Sequence, residues 1–155
     1  MGEGISRICS ILRPEHRGCI VKLSLGVIDI PYPEEEVTTG EVAGILEAHY
    51  GVMRVFVEEY EDKITQAVEE KMLGLIQNVK LGGPPPTDDI DFPEIEKDFR
   101  EYLDRSEWEK ISGKPTKAAL LGISKRKKSL SYGERRPSFI DTGLYQKSMR
   151  VWTEK

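Results

Sequence analysis

Between Met53 and Val79 the apolar positions Met53, Phe56, Val57, Tyr60, Ile64, Ala67, Val68, Met72, Leu75, Ile76 and Val79 recur at steps of three and four. That period places them on one face of an α-helix of about seven turns, with Glu, Lys and Gln on the opposite face, and the apolar face is expected to pack in the core. The segment before it, Thr38 to Gly51, carries its own boundaries. Thr38 or Thr39 can cap a helix with Glu41 in its first turn, and Gly51 marks its end. Val42, Ile45 and Leu46 share its apolar side. Upstream, Gly18 to Ile30 alternates imperfectly and reads as a strand, bent or bulged at Gly26 and ended by Pro31 and Pro33.

Leu81-Gly-Gly-Pro-Pro-Pro breaks the long helix. Pro93 then opens a further helical stretch whose apolar side holds Ile95, Phe99, Leu103 and Trp108. From Ser112 to Pro137 the periodicity dissolves into Gly, Pro, Ser, Lys and Arg, apart from a short helical turn at Ala118 to Ile123. Connections of that length inside a domain are functional or disordered. The closing stretch, RPSFIDTGLYQKSMRVWTEK, becomes apolar again, and Asp141 and Thr142 are suited to cap a short amphipathic helix beginning near Gly143. These elements predict an α+β fold: a small sheet packed with a long amphipathic helix and shorter helices, followed by an extended basic arm. The expected division is an α+β body over 1–110 and a basic arm with an interaction segment over 111–155.

Charge reinforces that division. The net charge of -4 conceals eleven Lys and Arg against three Asp and Glu from Ile111 onward, a balance of +8. Residues 1–110 therefore carry -12. An acidic body and a basic arm can attract copies of one chain head to tail, or place the arm on nucleic acid or an acidic neighbour. The cluster Lys125, Arg126, Lys127 and Lys128, with Arg135 and Arg136 nearby, is the candidate electrostatic docking site. It is open to three readings: a solvated segment, docking on an acidic protein surface, or salt-sensitive phosphate contact. Few aromatic residues are interleaved with these charges, which argues against base stacking.

Composition is polar, with 38% hydrophobic and 32% charged residues, and no apolar run approaches the roughly 18 residues of a membrane span. No export signal is evident at the start, where the Met-Gly-x-x-x-Ser pattern of myristoylation occurs but is too short to be specific. Cys9 and Cys19, with His16 and His49, make a poor zinc set. The cysteines either stay reduced or form a disulfide, within or between chains. Gly113-Lys-Pro-Thr lacks the upstream glycine and the hydroxyl position of a phosphate-binding loop. Asp88, Asp89 and Asp91 lack calcium-loop spacing and read as a solvated acidic stretch. No catalytic residue, cofactor site or metal site is expected.

The closing segment is the other candidate. Phe139, Ile140, Asp141, Thr142, Leu144, Tyr145, Met149 and Trp152 place apolar groups on two sides of a short helix that is marginal alone. Two such sides fit a subunit boundary or, alternatively, the core of the monomer. Read as a boundary, the segment is dispensable to the body, and truncation after Arg136 is expected to leave the monomer helical.

RPSFIDTGLYQKSMRVW (136–152) resembles the Thr-Gly-Leu segment of small morphogenesis proteins of tailed bacteriophages. TTGEVAGILEAHYGVMRVFVEEYEDKI (38–64) resembles a stretch of phage structural proteins encoded among head-tail joining genes. The resemblance implies a neck component: a tail-completion, tail-terminator or head-to-tail connector subunit. Such subunits are small α+β proteins without catalytic residues that form rings, commonly sixfold or twelvefold, around the DNA channel. It implies as partners copies of this chain, neighbouring neck and tail proteins, and genomic DNA close by in the channel, with no membrane. Its setting would be the virion, assembled in the host cytoplasm. The familiar completion proteins often continue with strands after Thr-Gly-Leu, and here the sequence departs from them. Outside the family, a non-enzymatic DNA-binding or regulatory protein using 125–136 is the competing reading.

Overall fold

The computed structural model describes residues 5–11 (backbone only), 22–33, 36–86, 90–113, 115–123, 134–135, 137–140 and 142–154. They form a small α+β fold. Three strands, β1 (Ile5–Ile11), β2 (Lys22–Ile28) and β3 (Met149–Glu154), make an antiparallel sheet in the order β1-β2-β3. The helices are α1 (Thr39–Tyr50), α2 (Val52–Glu59), α3 (Glu61–Lys80), α4 (Pro93–Asp104), α5 (Glu107–Ser112), α6 (Lys117–Leu120) and α7 (Leu144–Ser148).

β2 is the central strand, and its alternation sorts the sheet's two faces. Leu23, Leu25 and Val27 lie on one face and pair with Thr153, Val151 and Met149 of β3. Leu25, Val27, Met149 and Val151 are wholly inaccessible to solvent. The expected irregularity at Gly26 falls on its partner: the register shifts between Arg7 and Cys9 of β1, opposite Gly26 and Leu25.

Turn chemistry connects sheet to helices. The Thr38 hydroxyl accepts from Glu41 N–H (3.3 Å), and the Glu41 carboxylate accepts from Thr38 N–H (3.0 Å), closing a capping box on α1. Thr39, the other expected cap, is buried instead and links the end of β2 to α1. Its hydroxyl donates to the Ile28 carbonyl (2.6 Å) and accepts from Ile30 N–H (2.8 Å). Gly51 ends α1 in the left-handed region (φ 58°), the conformation that favours glycine there. The Glu47 carboxylate reaches past it to accept from Met53 and Arg54 N–H (2.8 and 3.2 Å), capping α2 from the side.

The single seven-turn helix expected from Met53 to Val79 is two helices. Tyr60 leaves helical geometry (φ -105°, ψ 15°) between α2 and α3. No Pro or Gly lies near Tyr60, so the apolar period runs through the break unmarked. Tyr60 is fixed by its neighbours: its ring stacks on Phe56 at 4.8 Å, and its hydroxyl donates to Glu107 at 2.5 Å. Beside it, Phe56, Phe99 and Tyr102 form the aromatic centre of the core, all fully buried, with ring centroids 5.1 to 6.2 Å apart.

The closing segment differs most from expectation. It forms one helical turn and then a strand within the body's own sheet. β3 is held on both edges. Beyond its ladder with β2, Phe92 N–H donates to the Val151 carbonyl (3.0 Å), and Thr153 N–H donates to the Ile90 carbonyl (3.1 Å). Buried Glu96 of α4 accepts from Val151 N–H (3.3 Å) and pairs with Arg100 (3.1 Å), fastening the helix over the strand. Residues 149–154 are therefore part of the body, not of an arm.

Two outcomes follow. Met149→Ala should lower unfolding free energy by about 2–5 kcal/mol through the cavity it leaves, read from the urea midpoint. Deletion after Arg136 should abolish cooperative thermal unfolding rather than leave a stable helical monomer, because it removes β3 and its apolar face.

Candidate functional site: the foot of the basic segment

The sequence-predicted docking residues Lys125, Arg126, Lys127, Lys128 and Arg136 lie outside the described residues, as does Asp141. The described residues on either side of 124–133 are fastened to each other, and the fastening is a buried carboxylate. Glu109, in α5, is 8% exposed. Its Oε1 accepts from both the N–H (2.8 Å) and the hydroxyl (2.7 Å) of Ser138, and its Oε2 accepts from Arg135 Nη2 (3.1 Å). The Ser138 hydroxyl in turn accepts from Thr116 N–H (3.0 Å). Thr116 also caps α6, its hydroxyl accepting from Ala119 N–H (3.2 Å). One carboxylate thus ties together the chain before the basic segment and the chain after it.

The electrostatics follow from this geometry. Burial pushes the Glu109 carboxyl pKa up, but the two Ser138 hydrogen bonds and the Arg135 cation outweigh burial and hold it below the usual carboxylate range. Arg135 keeps most of its side chain in solvent (64% exposed) while one guanidinium nitrogen is committed to Glu109. It anchors the segment as well as charging it.

An aromatic cluster packs beside the clamp. Phe139 meets Trp108 at 4.7 Å and Tyr50 at 5.2 Å, and the Trp108 indole N–H donates to the Tyr50 carbonyl at 3.3 Å. Phe139 holds φ at 69°, a left-handed conformation costly for a bulky side chain. The contacts around it over-determine that conformation. The sequence marked Phe139 as a candidate boundary residue, and its left-handed backbone was not readable there.

The eight proposed boundary residues divide. Tyr145, Met149 and Trp152 are 3%, 0% and 7% exposed and pack within this chain, so they are not free to contact a second copy. Burial also raises the Tyr145 hydroxyl pKa. Of the two alternatives for these three, the monomer core is the one observed. Phe139, Ile140 and Leu144 are half-buried, and Thr142 is exposed, accepting from Leu144 N–H at 3.3 Å. Gly143 provides the turn into α7 at φ 74°.

Sequence reasoning missed a second feature, on α3. A groove of about 310 Å³ is lined by Met72, Leu75, Ile76, Val79, Pro86 and Ile90, with Lys80 at its edge. The periodic pattern identified these apolar positions and assigned them to the core. In the folded chain Ile64 is the buried residue of α3, whereas Leu73, Ile76 and Val79 are 58%, 51% and 43% exposed. Among the described residues no group of three or more His, Cys, Asp or Glu is placed to hold a metal ion. No helix among them is long and apolar enough to cross a membrane. No protein-family model, curated protein or solved structure matches the chain.

The clamp makes a signed prediction. Because the folded-state pKa of Glu109 is depressed, its stabilisation is complete above its ordinary value of about 4.5 and is lost as pH falls through the lower folded value. Glu109→Gln should cost about 2–3 kcal/mol at neutral pH. In chemical denaturation at stepped pH, the gap between wild type and variant should shrink below about pH 4.5.

Proposed function

We propose that this chain is a structural, non-enzymatic subunit of the neck of a tailed bacteriophage, assembling as a ring between portal and tail. The observation that carries the reading beyond the two resembling stretches is the Glu109 clamp. A segment bearing Lys125, Arg126, Lys127 and Lys128 is fastened at both sides to a body whose sequence balance is -12. Opposite charges on two separate parts of one subunit suit a heterologous contact, in which one patch docks on a different patch of the next copy and closes a ring.

The burial of Tyr145, Met149 and Trp152 changes which part makes that contact. In this reading the ring grip is the basic segment with its clamp and the half-buried Phe139, Ile140 and Leu144 beside it. The resembling stretches 38–64 and 136–152 supply the scaffold: α1, α2, the start of α3, α7 and most of β3.

Replacement of Lys125, Arg126, Lys127 and Lys128 together by Gln should abolish ring assembly, alone or with neighbouring neck proteins, in native mass measurements. Circular dichroism should stay unchanged. Normal rings from that variant would sink the reading. Loss of salt-sensitive DNA affinity, with assembly intact, would favour the DNA-binding alternative instead.

A further inference from the structure

We infer that the outer face of α3 is a self-complementary contact that pairs two copies of this chain antiparallel about a two-fold axis. The inference does not rest on the neck reading and concerns a different surface from the clamp.

Glu69, Leu73, Ile76 and Lys80 are all exposed. At about 100° per residue they fall within a strip of roughly 60° on the helix, about 17 Å long at a rise of ~1.5 Å per residue. Their spacing is four, three, four, and therefore symmetric about the midpoint of the strip. An antiparallel copy laid along it brings Leu73 onto Ile76 of the second copy, and Ile76 onto Leu73. The same placement brings Glu69 onto Lys80 at one end and Lys80 onto Glu69 at the other. Apolar meets apolar at the centre, and opposite charges meet at both ends. A parallel arrangement in the same register would instead oppose Glu69 to Glu69 and Lys80 to Lys80, a like-charge juxtaposition at each end.

The surroundings favour this occupant. Val79 and the edge of the groove formed by Met72 and Ile76 widen the apolar centre on one side of the strip. The amino-terminal half of α3 is the part that joins the body: Ile64 enters the core, and Lys63 pairs with Asp98 of α4 at 2.9 Å. In the antiparallel arrangement the amino-terminal halves of the two helices, which carry the bodies, lie at opposite ends of the pair. Glu70 points elsewhere, on the flank where Gln66 donates to it at 2.9 Å. The sequence is thus its own complement along this strip, which an arbitrary partner would have to match by chance. Because the contact is isologous it closes at two copies and does not propagate.

The area is small, below the roughly 1,200 Å² of stable interfaces, so the dimer is weak and is measured with the full chain at about 100–500 μM. Sedimentation equilibrium should show a monomer–dimer system, with Ile76→Asp weakening it at least about tenfold. Lys80→Glu and Glu69→Lys should each be monomeric alone. Mixed in equal amounts they should form a hetero-dimer, because the charges at both ends become complementary again. All three substitutions are at exposed positions, and circular dichroism verifies that the variants stay folded. A monomeric wild type at 500 μM, an association unaffected by Ile76→Asp, or a failure of the two charge variants to pair would each overturn the inference.

Discussion

The ladder between β2 and β3 is the constraint on which the rest of the fold depends. β2 supplies Leu23, Leu25 and Val27 to the core face, and β3 completes that face with Met149 and Val151. Every inner backbone group of a strand needs a partner, and β3 finds them on both sides: β2 along one edge, Ile90 and Phe92 along the other. Its position is fixed further by Glu96, which receives Val151 N–H while paired to Arg100. A buried carboxylate at such a place is costly unless these bonds are complete, so α4 is held in register with the strand as well as packed against it. The loop entering α4, the helix itself and the sheet are therefore one mechanical unit. Residues more than a hundred positions apart in the chain close it.

The second unit is aromatic. Phe56, Phe99 and Tyr102 fill the space between α2 and α4, and Tyr60 extends the cluster to Glu107 at the start of α5. Burial and the neighbouring Glu107 carboxylate raise the Tyr60 hydroxyl pKa. The phenol therefore stays protonated as a hydrogen-bond donor throughout the physiological range. The turn at Tyr60 coincides with this donor bond and with the stacking on Phe56. Once the chain has turned, α3 leaves the body progressively, from Ile64 in the core to Leu73 and Ile76 in solvent.

Local chemistry was legible in the sequence, and long-range pairing was not. A cap at Thr38 or Thr39 with Glu41, the stop at Gly51, the proline start of α4 and a strand within Gly18 to Ile30 all follow from residues close together in the chain, and the structure places the cap at Thr38 and the strand at Lys22–Ile28. β1 was not recognised: Ile5, Ile8 and Ile11 recur every three residues, and the register shift between Arg7 and Cys9 disrupts the two-residue period that would reveal a strand. β3 was misread as helix because Leu144 to Ser148 does begin as one, and nothing nearby announces the switch at Met149. Of the candidate site, the charge of 125–136 and the apolar character of 139–152 were readable. The clamp was not, since Glu109 sits in a helix of mixed charge and its role depends on Ser138, twenty-nine residues later.

The surfaces this chain leaves exposed differ from those its apolar density suggests. Apolar density in sequence marked Tyr145, Met149 and Trp152 as an outward surface and the Met72–Val79 stretch as core. Folding buries the first three and exposes Ile76 and Val79, while Met72 stays partly buried against the core. The difference has one physical origin. The ladders of β3 place its side chains on a sheet face that α4 covers, whereas a helix buries only the face for which the body has a counterpart. The body offers α3 a counterpart at Ile64, Ala67, Val68 and Met72 and, through Lys63 and Asp98, at α4, and leaves Leu73, Ile76 and Val79 exposed. An apolar face left outside in this way carries a standing cost that a matching face would remove, and that is the ground for proposing that it pairs. On α3 the matching face is written in the same residues, read in the opposite direction.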